Sequence, residues 1–225
     1  MANIGDLTTY YVNQTPQITV TNSPTLGITA VNFAQQTQTK ITQTASGRTI
    51  RASNATTLWG GTLQFSPDTQ DQYKKLKAFL STTRGPLNEF NVVIPGVSQF
   101  NGVVNGSPTP TFTVNGATAA GATTVSVNAT TVGVINGTKW EPGMVIRFAS
   151  HTKVYMVTNA AGVLWTSNGN QNVTIEPPLV SAITNSSVIT YDAVPFTVIA
   201  INDLQEYAYT NDGLVSHRLD IQEVI

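Results

Sequence analysis

The sequence predicts a mainly β protein: a β-rich domain drawn from both ends of the chain, one flanking α-helix, and a small β-barrel or sandwich inserted between them. Three observations predict it. Short runs rich in Val, Ile, Thr and aromatic residues, bounded by Gly, Pro, Asn or Ser, recur along the 225-residue chain. Only "SPDTQDQYKKLKAFLSTTRGP" (66–86) carries apolar residues at helical spacing. Charge is scarce, at 10% Asp, Glu, Lys and Arg, against roughly 25% in typical soluble domains. Thr, Ser and Asn supply the polarity instead, and these residues suit pleated surfaces and turns.

Taken in order, "QITVTN" (17–22) and "GITAVNF" (27–33) read as strands around the Asn22-Ser23-Pro24 turn signal. "RTIRAS" (48–53) and "TLWGGTLQF" (57–65) flank Ser53-Asn54-Ala55 and are expected to pair as a hairpin. Gly60-Gly61 inside the second run marks a bulge or a close backbone approach. In the helix, Ser66 is the expected N-cap, Pro67 the first helical position, and Asp68 and Asp71 the anions that the helix dipole favours. Tyr73, Leu76, Phe79 and Leu80 define its apolar face, and Gly85-Pro86 stops it. "EFNVVIP" (89–95) is extended. The Gly-, Asn-, Pro- and Thr-rich stretch 96–121 reads as a boundary or long loop.

Five short strands follow: 123–129, 144–150, 153–159, 172–179 and 187–192, a spacing that suggests a small barrel or sandwich. "NAAGVLWTSNGNQ" (159–171) reads as a loop. "PFTVIAI" (195–201), "QEYAYTN" (205–211) and "SHRLDIQEVI" (216–225) alternate more cleanly and resemble the first hundred residues. The simplest organisation places 1–103 and 190–225 in one β domain and 104–189 in an inserted one. Two consecutive domains split near 103 is the competing plan.

Chemistry-bearing residues are few. Of two histidines, His151 sits in the Ser150-His151-Thr152 turn and reads as solvated. His217, beside Arg218, reads as a surface or interface side chain. There is no cysteine, no His pair at helical spacing and no carboxylate-bearing cation loop, so no catalytic residue, metal ligand or cofactor is expected. Lys74, Lys75 and Lys77 follow acids by about one turn, and the net charge is −1, which gives no reason to expect nucleic acid as a partner. No apolar run approaches the roughly 18 residues that span a bilayer, and "MANIGDLTTYYV" lacks the pattern of a secretory signal. The expectation is a chain made in a cytoplasm, without membrane insertion. Its charge-poor surface favours a part that lives assembled. Trp165, between glycine-bearing turns, is the candidate exposed ring for stacking on a sugar; the commoner reading is an aromatic closing the end of a small barrel. Arg51 and Arg84, isolated cations in a charge-poor chain, are candidate subunit-interface residues.

Several segments in this order resemble the distal tail proteins of long-tailed (siphovirus-type) bacteriophages. They are "SGRTIRASNATTLWGGTLQFSP" (46–67) leading into the helix, "AFLSTTRGPLNEFNVVIP" (78–95), "EPGMVIRFASHTKVYMVT" (141–158) with "VTIEPPL" (173–179), and the closing "VPFTVIAI" and "RLDIQEV". The resemblance implies a hexameric ring at the tail tip, between the tail tube and the hub or receptor-binding proteins. It also implies a belt domain built as a split β-barrel flanked by a helix, with a second β domain projecting outward, and it carries no catalytic residue. The expected function is thus that of a structural virion protein, located in the tail tip. The alternatives are a carbohydrate-binding adhesin that acts through the inserted domain, or a tail-tube or head-to-tail joining subunit.

Overall fold

The structure, a computed structural model, describes residues 3–6, 28–65, 68–104, 110–130, 137–166, 169–202, 207–209 and 214–225. Over these residues the chain runs through β1 (Asn3–Asp6), β2 (Ile28–Gln43), β3 (Thr49–Phe65), β4 (Asp68–Thr69), α1 (Gln70–Thr83), β5 (Glu89–Val93), β6 (Gly102–Val103), β7 (Thr111–Val114) and β8 (Thr124–Thr130). It continues through β9 (Thr138–Trp140), β10 (Val145–Phe148), β11 (Val154–Val157), β12 (Val163–Trp165), β13 (Gly169–Glu176), β14 (Val188–Thr190), β15 (Pro195–Ala200), β16 (Tyr207–Tyr209) and β17 (Leu214–Glu223). The protein is mainly β. Backbone proximity divides it into one unit of Met1–Val92 with Thr197–Val224 and a second of Val93–Phe196.

The first unit is organised by a sheet in the order β1-β5-β15-β17-β3-β2. β1 lies parallel to β5, and the β15–β17, β17–β3 and β3–β2 pairs are antiparallel. β17 serves two neighbourhoods. Its first residues, Leu214 and Val215, pair with β4, and Val215–His217 pair with β16. From Arg218 onward it pairs with β3 and β15. Alternation along β17 buries Val215, His217, Leu219, Ile221 and Glu223 on one face. His217, expected as a surface or interface side chain, is thereby buried against Phe65. The Glu223 carboxylate, also buried, accepts the Trp59 backbone N–H at 3.0 Å.

α1 covers this sheet with the described part of the face its spacing predicts; the Tyr73 side chain lies outside the described residues. Leu76, Phe79 and Leu80 are buried, and the Phe79 ring meets Phe90 of β5 edge-on at 5.5 Å. Each such side chain contributes about 2 kcal/mol by leaving water. Lys74 and Lys77 stay exposed. The helix begins later than expected, at Gln70, because Asp68 and Thr69 pair with Val215 and Leu214 as strand. The expected cap residues Ser66 and Pro67 lie outside the described residues, as does "QITVTN" (17–22). At the other end the backbone turns left-handed at Arg84 (φ 52°, ψ 49°) and passes into a short 3₁₀ turn, Gly85–Leu87.

β3 is one continuous strand, not two halves of a hairpin; its partner is β2, from Ile28↔Phe65 to Gln43↔Thr49. The tight approach expected at Gly60-Gly61 is present. A Cβ on Gly61 would collide with the Asn32 carbonyl and stand 2.8 Å from Phe33 Cα, so β2 and β3 close only over glycine.

In the second unit, β10-β11-β13-β8-β7-β14 form a closed barrel, with β12-β9-β6 as a separate three-stranded sheet. Five of the barrel strands are the five short runs of the sequence. The sixth, β7, lies in the stretch expected to be a loop. β12 likewise lies in the presumed loop 159–171, paired with β9. Inward residues such as Phe112, Val127, Ile146, Phe148, Tyr155, Val157, Val173 and Ile175 build one apolar core.

Candidate functional site

Three places carry side chains that the fold positions for more than packing. The first is the outer part of the β2–β3 hairpin. From Thr39 to Ala52 every residue is exposed except the partly covered Thr44. Both faces of the ribbon therefore lie open over four paired residues, from Lys40↔Ala52 to Gln43↔Thr49, a reach of about 14 Å. Ile41 pairs with Arg51 on one face, and Ile50 with Thr42 on the other, beside Lys40↔Ala52. Each face thus presents one isoleucine and one cation. Ile41 is 66% and Ile50 51% exposed.

The tip of this arm is built, not slack. Thr44 N donates to Arg48 O at 2.9 Å, and Gly47 N donates to Thr44 O at 2.9 Å. The Thr44 hydroxyl oxygen accepts the Arg48 N–H at 3.1 Å, and Gln43 Nε2 donates to Gly47 O at 3.2 Å. Gly47 supplies the left-handed turn position (φ 80°) that a side chain would oppose. Its charge is one-sided as well. Residues 28–65 hold Lys40, Arg48 and Arg51 and no acid, which leaves eight basic against twelve acidic residues in the rest of the chain. Arg51 sits on this arm. Arg84 is exposed at the end of α1, so the structure places the two expected interface cations in different elements.

The second place is the aromatic cluster of the barrel unit. Trp165 is fully buried, with its ring 4.9 Å from Phe112 and 5.0 Å from Trp140. Trp165 is not the candidate exposed ring for a sugar but a buried aromatic, as in the commoner reading: β12 alternates, so Val163 and Trp165 face inward and Leu164 faces solvent. Both indole Nε1 groups, of Trp140 and Trp165, are buried without a hydrogen-bond acceptor.

The third is a hydrogen-bonded relay. His151, expected to be solvated, is 5% exposed. Its Nδ1 lies 2.8 Å from the Tyr155 hydroxyl, and its Nε2 2.8 Å from Ser181 Oγ. The backbone N–H of Val180 donates to the same Tyr155 oxygen at 3.2 Å. The relay has the outline of a nucleophile–base–orienter set. Its proton order is wrong for that chemistry. With the Tyr155 oxygen already accepting from Val180, we assign its proton to Nδ1, which leaves Nε2 as an N–H that donates to Ser181. A base for Ser181 needs that nitrogen bare. The relay therefore fastens a loop.

Among the described residues, no group of three or more His, Asp or Glu stands together to hold a metal ion, and no helix is long and apolar enough to cross a membrane. No family model matches the chain, and no curated protein matches it.

Proposed function

We propose that this chain is a structural virion protein of a phage tail tip, a ring subunit that connects the tail tube to the hub or receptor-binding proteins. The observation that carries the reading is the β2–β3 arm. A two-stranded ribbon open on both faces is marginal in water, yet this one has a bonded tip and a continuous register. Such an arm is made to lie against another surface. A second copy of the chain suits it, because the arm is cationic and the remainder of the chain is acidic on balance. A ring closes through heterologous contacts of this kind, in which each copy offers an arm and receives one. The double service of β17, pairing with β4 and β16 at one end and with β3 and β15 at the other, supports a split β-barrel as the belt. The Val93–Phe196 unit is then the inserted domain.

The test uses the full chain and a variant in which Lys40–Ala52 is replaced by Asn-Gly between the paired Thr39 and Ser53. Mass photometry and negative-stain imaging should show rings for the full chain, weakened by salt, and monomers for the shortened one, with far-UV spectra and melting unchanged. A full chain that stays monomeric at high concentration, and forms no ring with tail tube protein, overturns the ring. Rings from the shortened variant remove the arm from the interface.

A further inference from the structure

The barrel is closed at one side by a strap, residues 177–187, that links β13 to β14. Leu179 and Ile183 of the strap are buried in the barrel core. Its two flanks are held differently. Toward residues 118–122 the hold is backbone only: Gly121 N to Leu179 O (2.7 Å), Leu179 N to Ala122 O (2.9 Å), and reciprocal bonds between Thr118 and Ile183 at 3.0 and 2.9 Å. Toward the β10–β11 turn the hold runs through side chains, with Val180 N on the Tyr155 hydroxyl and Ser181 Oγ on His151 Nε2.

We propose that the His151–Ser181 contact is a proton-operated latch, which releases this flank of the strap when the imidazole ring takes a second proton. With one proton the ring matches both neighbours. With two, Nδ1 becomes a donor and faces the hydroxyl that was donating to it. The Tyr155 hydrogen must then turn elsewhere, on a side chain that has no exposed surface. A positive charge also appears on a ring that is 5% exposed. The charged groups next to it in the chain are cations. Arg147 of β10 donates through Nε to the His151 carbonyl at 2.9 Å, and Lys153, two residues on, is wholly buried. The groups bonded to the ring are two hydroxyls, from β11 and from the strap, and the Ala182 backbone of the strap, and not carboxylates.

Burial pushes the His151 pKa below its ordinary value, and a hydrogen bond to the Ala182 backbone opposes this only in part. The sign follows. Between the lowered value and about 6.5 the opened strap binds more protons than the closed one, so closure weakens as pH falls through that window. The latch is fully effective above it.

Amide hydrogen exchange on the full chain between pH 7.5 and 5.0, corrected for intrinsic pH dependence, tests the latch. Exchange at Val180, whose N–H is bonded to the Tyr155 hydroxyl, should rise by up to about tenfold per pH unit within the window, while Leu179 and Ile183, bonded to Ala122 and Thr118 on the other flank, and Val125 and Val173 in the β8–β13 ladder stay protected. His151→Gln should flatten that dependence, and His217→Gln should leave it unchanged. Ser181→Ala, an exposed position that tests the latch without touching the ring, should raise strap exchange roughly fivefold at pH 7.5, the equivalent of about 1 kcal/mol. A flat wild-type profile, the same slope in His151→Gln, equal loss of protection in the β8–β13 ladder, or an unaltered strap in Ser181→Ala would each overturn the proposal.

Discussion

Replacing Trp165 separates an aromatic that closes the barrel core from one that greets a ligand. The ring has no exposed surface and packs within 5.0 Å, centroid to centroid, of both Phe112 and Trp140. Trp165→Ala therefore removes a full aromatic and leaves a cavity that the closed strands cannot collapse around, costing about 3–5 kcal/mol. Trp165→Phe is the informative partner. It gives up about 1–2 kcal/mol of burial, but it also deletes an indole N–H that has no acceptor, and an unsatisfied buried donor costs about 1–3 kcal/mol. The two nearly cancel, so the phenylalanine variant should lie within about 1 kcal/mol of the parent. Urea titration followed by far-UV circular dichroism measures both. With a slope of about 2 kcal/mol/M the alanine variant loses about 2 M of midpoint, and the slope itself stays constant. If Trp165→Ala stays within about 0.5 kcal/mol, as exposed substitutions do, the ring is not in the core and a sugar-facing role returns. A phenylalanine variant as damaged as the alanine one would show instead that the indole N–H has a partner.

Two further substitutions test the first unit. Gly61→Ala places a methyl group against the Asn32 carbonyl and 2.8 Å from Phe33 Cα, both backbone atoms of the adjoining strand. The loss should be about 2–3 kcal/mol, read as a lowered urea midpoint; an unchanged midpoint would mean that β2 yields without cost. Arg84→Gly removes a side chain from a left-handed position at the end of α1, and should raise stability by about 1 kcal/mol. The same variant settles whether Arg84 is an interface residue: it is one only if rings are lost while the melting temperature rises.

How much was legible depended on whether a residue's fate was decided locally. The apolar face of α1 and the alternating run of β17 were readable because burial on one side imposes a period, and β10 and β11 because short, mostly apolar runs bounded by turn residues read as strands. The arm was not, for the same reason turned round. "QQTQTK" (35–40) and "RTIRAS" (48–53) lie in a ribbon that is open on both faces toward its tip, so nothing selects apolar residues at every second position. Without a period, Ser53-Asn54-Ala55 looked like a turn when it is the middle of β3. What sets the register there is the Thr44–Arg48 turn and the backbone ladder, neither of which leaves a hydrophobic signature.

The polar misreadings have a related origin. His151 was placed in solvent and His217 at a surface or interface because burying an imidazole requires partners, and the partners come from elsewhere in the chain. Ser181 lies thirty residues from His151, and Phe65 meets His217 only because β17 pairs with β3. The exposed reading of Trp165 came from its surroundings: Gly162 takes a left-handed turn conformation (φ 72°), but the three strand residues after it are enough to aim one ring inward. The features that bear on assembly are thus the ones with the weakest sequence signal. A surface that becomes buried only against another copy carries the composition of neither a core nor a solvated face. The Thr-, Gln- and Ile-bearing arm, with three cations and no acid nearby, has that mixed composition.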